Sequence, residues 1–258
     1  MGILNVTPDS FSDGGKHVGV EKAVKRALEM VEEGAEIIDI GGESTRPGAL
    51  KVSLEAELER TVPVVKELRQ QSDVLISIDT SKSEVARLAL EAGADIVNDV
   101  TGLTGDDEMV KTCADAGCAV VVMHMQGNPR TMQNSPTYAD VVEEIAAFFK
   151  ERVETLTAAG VVEEAICLDP GIGFGKTLEH NTMLMRSLDR LNVEGRPLML
   201  GVSRKSMIGA ILEKEEPQER DWGTVALTAL GRKLGAQVHR VHEVRKNAEA
   251  MRMMEAMM

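Results

Sequence analysis

A chain of 258 residues that is 43% hydrophobic can build a sizeable core, but with 2% aromatics that core has to be aliphatic and Met-rich. Its formal net charge of −13 excludes the basic field that general nucleic-acid binding requires. Cys113, Cys118 and Cys167 lack metal-ligand spacing and read as buried thiols in a reducing compartment; with no visible signal peptide and no long apolar run, a cytoplasmic protein without a membrane span is expected.

The first apolar run, Ile3 to Val6, has the length of a buried strand, and TPDSFSDGG after it is a loop of turn formers. One pattern then recurs: helical apolar spacing, a glycine, a short β-branched run, polar residues. Glu21–Glu33 is predicted helical, stops at Gly34 and leads to EIIDI. Leu54–Gln71 leads to VLISID. Ser83–Ala92 stops at Gly93 before ADIVND, and Glu108–Ala116 at Gly117 before AVVVMH. Tyr138–Ala159 stops at Gly160 before AICLD. His180–Leu191 leads to PLMLGVS, and Arg220–Leu234 stops at Gly235 before QVHRVH. The last helix runs from Glu243 to about Met254. A glycine after the last turn supplies a left-handed cap.

The strands are short and nearly all apolar, as parallel strands covered on both faces should be. Eight βα units in this length predict an α/β fold: a single (β/α)8 TIM barrel occupying residues 1–258 as one domain. A doubly wound open sheet is the alternative, but no GxGxxG follows the first strand. No hairpin precedes that strand in the sequence, so either another element covers the barrel bottom or the sequence starts late. The Met-rich end, MRMMEAMM, reads as an amphipathic helix packed on the barrel or on a second subunit.

A barrel demands that chemistry sit at the C-terminal ends of its strands. Those ends carry Asn5, Asp39, Asp79, Asn98 with Asp99, His124, Asp169, Ser203-Arg204-Lys205, and Arg240 with His242. A single such carboxylate is commonly a helix cap; Asp39, Asp79 and Asp169 at one mouth make a pocket of like charges that needs donors. Asp79, Asn98, Asp169 and Lys205 suit a flat heterocycle with an amidine- or guanidine-like edge, which a carboxylate meets with two parallel hydrogen bonds. Asn5, Thr45, Arg46, Arg240 and His242 suggest a phosphate or pyrophosphate site in an otherwise acidic protein. GGESTRPGA reads as a lid bearing one cation. DPGIGFGK is Gly-rich but not a Walker A, and Phe174 on it is a stacking wall or a local packing residue. Neither a zinc pattern nor a Ser-His-Asp elbow is present. An anion clamp beside hydrogen-bonding acids, without a nucleophile, suggests a substitution whose leaving group is a phosphate ester.

In order along the chain, MGILNVTPDSFSDGG, DIGGESTRPGA, SIDTSK, IVND, LDPGIGFGK, GVSRKSMIG and RVHEV closely resemble the dihydropteroate synthase family of pterin-binding folate enzymes. The resemblance runs from Met1 to about Val244. It implies a homodimeric (β/α)8 transferase, the target of sulfonamides, that joins 6-hydroxymethyl-7,8-dihydropterin pyrophosphate to p-aminobenzoate. It implies pterin contacts from Asp79, Asn98, Asp169 and Lys205, and pyrophosphate contacts from Asn5 with Mg2+, Arg240 and His242. Thr45 and Arg46 would lie on the first of two loops that close over the site, and TPDSFSDGG would be a catalytic loop that orders around the departing group. Pro47, Phe174, Lys205 and Ser206 would line the p-aminobenzoate site, and Asp39 would support the pyrophosphate loop and the charge developing on the pterin. Glu243 departs from the Asp usual after RVH, where little effect is expected. A methyltetrahydrofolate-dependent corrinoid methyltransferase shares the barrel and pterin contacts but carries no pyrophosphate. A non-catalytic pterin-binding protein is the reading from another class.

Overall fold

Every second residue of the predicted strands is bulky and apolar, and that period of two decides which face each side chain takes. In the computed structural model the strands are β1 Gly2–Asn5, β2 Ile37–Gly41, β3 Leu75–Asp79, β4 Ile96–Asp99, β5 Ala119–Met123, β6 Ile166–Asp169, β7 Met199–Leu200 and β8 Val238–His239. The structure describes residues 1–6, 15–44, 51–128 and 131–258, without the side chains of 15–17. β1 to β6 pair in chain order, all parallel, and β7 pairs with β8. Parallel bridges Leu168↔Leu198 and Gly2↔Val241 join the two sheets and close the predicted barrel.

The helices are α1 Gly15–Glu32, α2 Leu54–Gln71, α3 Ser83–Glu91, α4 Met109–Ala116, α5 Val141–Ala158, α6 Leu178–Arg186, α7 Ser206–Leu212, α8 Asp221–Lys233 and α9 Val244–Glu255. The predicted glycine caps at 34, 93, 117, 160 and 235 all have positive φ. Three differences from the sequence reading stand out. α1 starts at residue 15, six ahead of expectation. α6 stops at Arg186, and a 3-10 turn, Leu188–Leu191, completes the segment read as one helix. α7 is absent from the prediction because seven residues with Gly209 inside carry little periodicity. That glycine is needed: a Cβ there would meet the Lys214 carbonyl oxygen at 2.6 Å.

Ile38, Ile40, Ile76, Ile78, Val97, Val120 and Val122 point outward and are fully buried under the helices. Inward, Ile96, Val121 and Met199 pack with Met1, Ile37, Ala119, Cys167 and Val238. These residues fill the lower barrel and make its bottom apolar. Above them the inward positions turn polar. The register Asn5↔Gly41↔Asp79↔Asn98 forms one continuous row across β1 to β4. Among the described residues no helix is long and apolar enough to cross a membrane.

Candidate active site

The polar row opens into a cavity of about 310 Å³ at the C-terminal end of the strands. Asn5, Asp79, Asn98, Asp169, Phe174, Lys205, Ser206, Arg240 and His242 all line it. Thus nine candidates, brought from β1, β3, β4 and β6 and from the segments after β6, β7 and β8, share one chamber. Asp39 does not line it. β2 extends two residues beyond Asp39, so its carboxylate, paired across to Ile3 and Ser77, sits one row beneath the cavity floor and is fully buried. Thr45, Arg46 and Pro47, and the loop 7–14, lie outside the described residues.

Arg240 ties the chamber together. Its Nε donates to Asp39 Oδ2 at 2.6 Å and its Nη2 to Asp79 Oδ2 at 2.7 Å. The ring-binding and anion-binding groups, separate in the sequence reading, are therefore one hydrogen-bonded network. Asn98 Nδ2 donates to both oxygens of Asp39 at 3.3 Å. A carboxylate only accepts, so the Asn98 amide must present its NH2 downward and its oxygen to the cavity. Asp169 Oδ1 accepts the Gly171 N–H at 2.7 Å, an Asx-type contact that fixes the start of the DPGIGFGK loop. Lys205 caps α7, and its Nζ lies 3.9 Å from the centroid of the Phe174 ring, within cation–π range. His242 Nδ1 is 2.8 Å from Ser203 Oγ, which also accepts the His242 backbone N–H at 3.1 Å. The hydroxyl proton is thereby free to go to Nδ1.

Burial sets the electrostatics. It pushes the Asp79 carboxyl up to about 7, opposed by Arg240 and assisted by Asp39, Glu57 and Asp99. One guanidinium serves two buried carboxyls, so Asp79 receives only part of its charge. Burial also raises Asp169, against the Gly171 N–H, Lys205 and Lys176. For Arg240, burial pulls downward, but Asp39 and Asp79 outweigh it and keep the guanidinium charged.

Some strand-end residues have other duties. Asp99 points outward and accepts from Thr101 N and Oγ1 and from Leu103 N, anchoring the loop after β4. Arg204 takes φ of +59° and turns its guanidinium onto Asp221, at 2.7 and 3.1 Å, and Glu243, at 3.3 Å. Glu243 is thus a partner of the SRK turn. Arg220 also lines the cavity, donating to the Arg204 carbonyl at 3.1 Å. Nothing in the sequence marks it, since an Arg at a helix start reads as a solvated charge. Met123 and Met132 pack with Phe174 as the apolar side of the chamber.

The donor set bears on a metal. Among the described residues no group of three or more His, Cys, Asp or Glu could hold an ion. Asn5 lines the cavity with a side-chain amide. A side-chain amide oxygen is of the kind that could serve magnesium as one ligand.

The family model described as pterin binding enzyme matches residues 1–242. The dihydropteroate synthase of Synechocystis is 50% identical over 257 residues, covering 100% of this chain and 89% of its own. The Yersinia pestis dihydropteroate synthase, solved in a sulfonamide drug complex, superposes with a TM-score of 0.94 at 47% identity, covering 100% of this chain and 93% of its own. The Xanthomonas albilineans dihydropteroate synthase, solved with 4-aminobenzoic acid, gives 0.92 at 44% identity, covering 100% and 92%. The chain, with its barrel and its row of acids and amides at the strand ends, belongs to the pterin binding enzyme family.

Proposed function

We propose that this protein is a dihydropteroate synthase, acting as a single domain. It condenses 6-hydroxymethyl-7,8-dihydropterin pyrophosphate with p-aminobenzoate and releases 7,8-dihydropteroate and pyrophosphate. The observation that carries this is the meeting of Asp79, Asn98, Asp169 and Lys205 with Arg240 and His242 in one chamber. The pterin, a flat heterocycle with a guanidine-like edge, needs acceptors on one side; its pyrophosphate needs cations beside them. The synthase relatives favour pyrophosphate displacement over methyl transfer.

The residues divide the work as follows. Asp169 and Asp79 accept from the amino-pyrimidine edge, the Asn98 oxygen accepts a ring N–H, and Lys205 donates to the ring carbonyl and nitrogen. Arg240, His242 and Asn5 hold the pyrophosphate, so that charge developing on the leaving oxygens meets fixed donors. Asn5 would also be one ligand of magnesium, which when bound neutralises part of the pyrophosphate charge. As the C–O bond breaks, the electron-rich dihydropterin spreads the positive charge left on its methylene. Buried Asp39, one row below, and Asp169 favour that cation. The aryl amine of p-aminobenzoate, held against Phe174, Pro47 and Ser206, then forms the C–N bond and gives up its proton. Thr45 and Arg46 would close over the site.

We further expect a cytoplasmic homodimer. Leu178 and Met183 on α6, Ile211 and Leu212 on α7 and Trp222 on α8 are exposed on successive helices, an apolar surface of the kind subunits cover.

Turnover tests the reading. Purified protein mixed with the pterin pyrophosphate, p-aminobenzoate and magnesium should yield dihydropteroate and pyrophosphate in equal amounts. Tight pterin binding without either product would replace it with a non-catalytic role.

A further inference from the structure

The loop after β6 is pinned unusually hard. Gly171, Gly173 and Gly175 have φ of +65°, +83° and +61°. They are required by close approach as well: a Cβ on Gly171 would sit 2.0 Å from the His124 carbonyl oxygen, and one on Gly175 2.4 Å from that of Gln126. The loop therefore lies backbone to backbone on the segment after β5. Its exposed carbonyls are taken up in turn: Gln133 donates to Gly173 O at 2.7 Å, and Tyr138 to Gly175 O at 2.8 Å. The Phe174 carbonyl goes to Lys176 Nζ at 3.0 Å.

Lys176 is only 2% exposed. Its Nζ also reaches the His124 carbonyl oxygen at 3.2 Å and His124 Nδ1 at 3.1 Å. Three donors meet three neutral acceptors, with His124 carrying its ring proton on Nε2. A buried cation without an ion-pair partner is costly, and an apolar side chain of the same length would fill the space with less penalty. An apolar side chain would also leave the three acceptors without their donor, so the ammonium acts as a staple between the two loops. The chain that Lys176 fastens carries the Phe174 ring into the cavity, between Lys205 Nζ on one side and Met123 and Met132 on the other.

We propose that Lys176 is a positioning residue: by bridging the Phe174 carbonyl to His124 it holds the Phe174 ring where the p-aminobenzoate ring must rest. It touches no substrate and acts through Phe174. The inference rests on the synthase reading above.

The experiment compares steady-state kinetics of native protein, Lys176→Met, Phe174→Leu and the double variant, with calorimetry of the pterin pyrophosphate and thermal unfolding alongside. Lys176→Met should raise KM for p-aminobenzoate about 10-fold or more while pterin affinity stays within about 2-fold of native. The double variant should raise that KM no further than Phe174→Leu alone, because both changes remove the same wall. An unchanged KM in folded Lys176→Met overturns the proposal. So do effects that multiply in the double variant, or a pterin affinity that falls in parallel, which would mean the ammonium acts through Asp169. If Lys176→Met does not fold, His124→Leu removes one of the three acceptors: a KM raised at least about 2-fold with native pterin affinity supports the staple, and an unchanged KM overturns it. Failure of the native protein to turn over sinks the synthase reading instead.

Discussion

Replacing Arg240 with Met isolates what one guanidinium does between two buried acids. The variant keeps the volume of the side-chain stem but strips Asp39, fully buried, and Asp79, 7% exposed, of their shared counter-ion. Removing one partner of a buried pair typically costs about 3–5 kcal/mol, because the remaining charge is left without compensation. The escape is protonation. Forcing an ordinary aspartate to keep its proton at about pH 7.5 costs about 5 kcal/mol, at about 1.36 kcal/mol for each pH unit above its usual value. At about pH 5 the same step costs roughly 1.5 kcal/mol. Asp79, already pushed up to about 7 by burial, adds little to either figure. The folded variant thus holds a proton that the unfolded chain releases, so its deficit grows as pH rises and shrinks as pH falls. Urea unfolding of native and variant protein at both pH values measures it. The expected deficit is about 3–5 kcal/mol at the higher pH and about 1–2 at the lower, and Asp39→Asn added to Arg240→Met should restore most of the loss. A deficit below about 1 kcal/mol, or one equal at the two pH values, refutes the reasoning.

Other consequences are as direct. Asp169→Asn should weaken pterin pyrophosphate binding more than Lys205→Ala does, because it converts an acceptor pair into a mixed donor; calorimetry with unchanged affinity in Asp169→Asn would remove the proposed pairing. Burial pushes the His239 imidazole down to about 4, opposed by the Ala236 backbone. The folded protein keeps it neutral while the unfolded chain protonates near its usual 6.5, so stability is lost as pH falls from about 6.5 toward 4. Between about pH 7 and 5, His239→Leu should lose about 2 kcal/mol less than native protein in urea titrations. Trp222, 74% exposed on α8, should be buried in a homodimer; Trp222→Glu should shift sedimentation toward the monomer, and an unchanged mass would place the interface elsewhere. Excess chelator should slow turnover if magnesium accompanies the pyrophosphate, and full turnover in its presence would remove the ion from the account.

Much of the architecture was legible in the chain. Strand, helix and glycine cap recur in the sequence at the intervals where the structure has them, because burial on both faces of a parallel strand leaves only apolar residues, and helix ends at 93 and 235 demand left-handed backbone. α7 escaped because seven residues around Gly209 are held by neighbours, not by their own periodicity. For the chamber, the rule that barrel chemistry sits at the C-terminal ends of strands identified Asn5, Asp79, Asn98 and Asp169. Its closure could not be read that way. The pairing of Arg240 with Asp39 spans 201 residues and with Asp79 spans 161, and no local pattern encodes a contact over such separations.

The sequence by itself determined which side chains face inward, where the turns fall and that acids, amides and cations occupy strand ends, since these follow from local geometry and solvation. Tertiary structure alone decided that Asp39 lies under the floor, that Arg240 joins the two sets, and that Lys176 is buried beneath the Phe174 loop. Those outcomes depend on strand register and barrel closure, which bring distant residues within 3 Å through the packing of the whole chain.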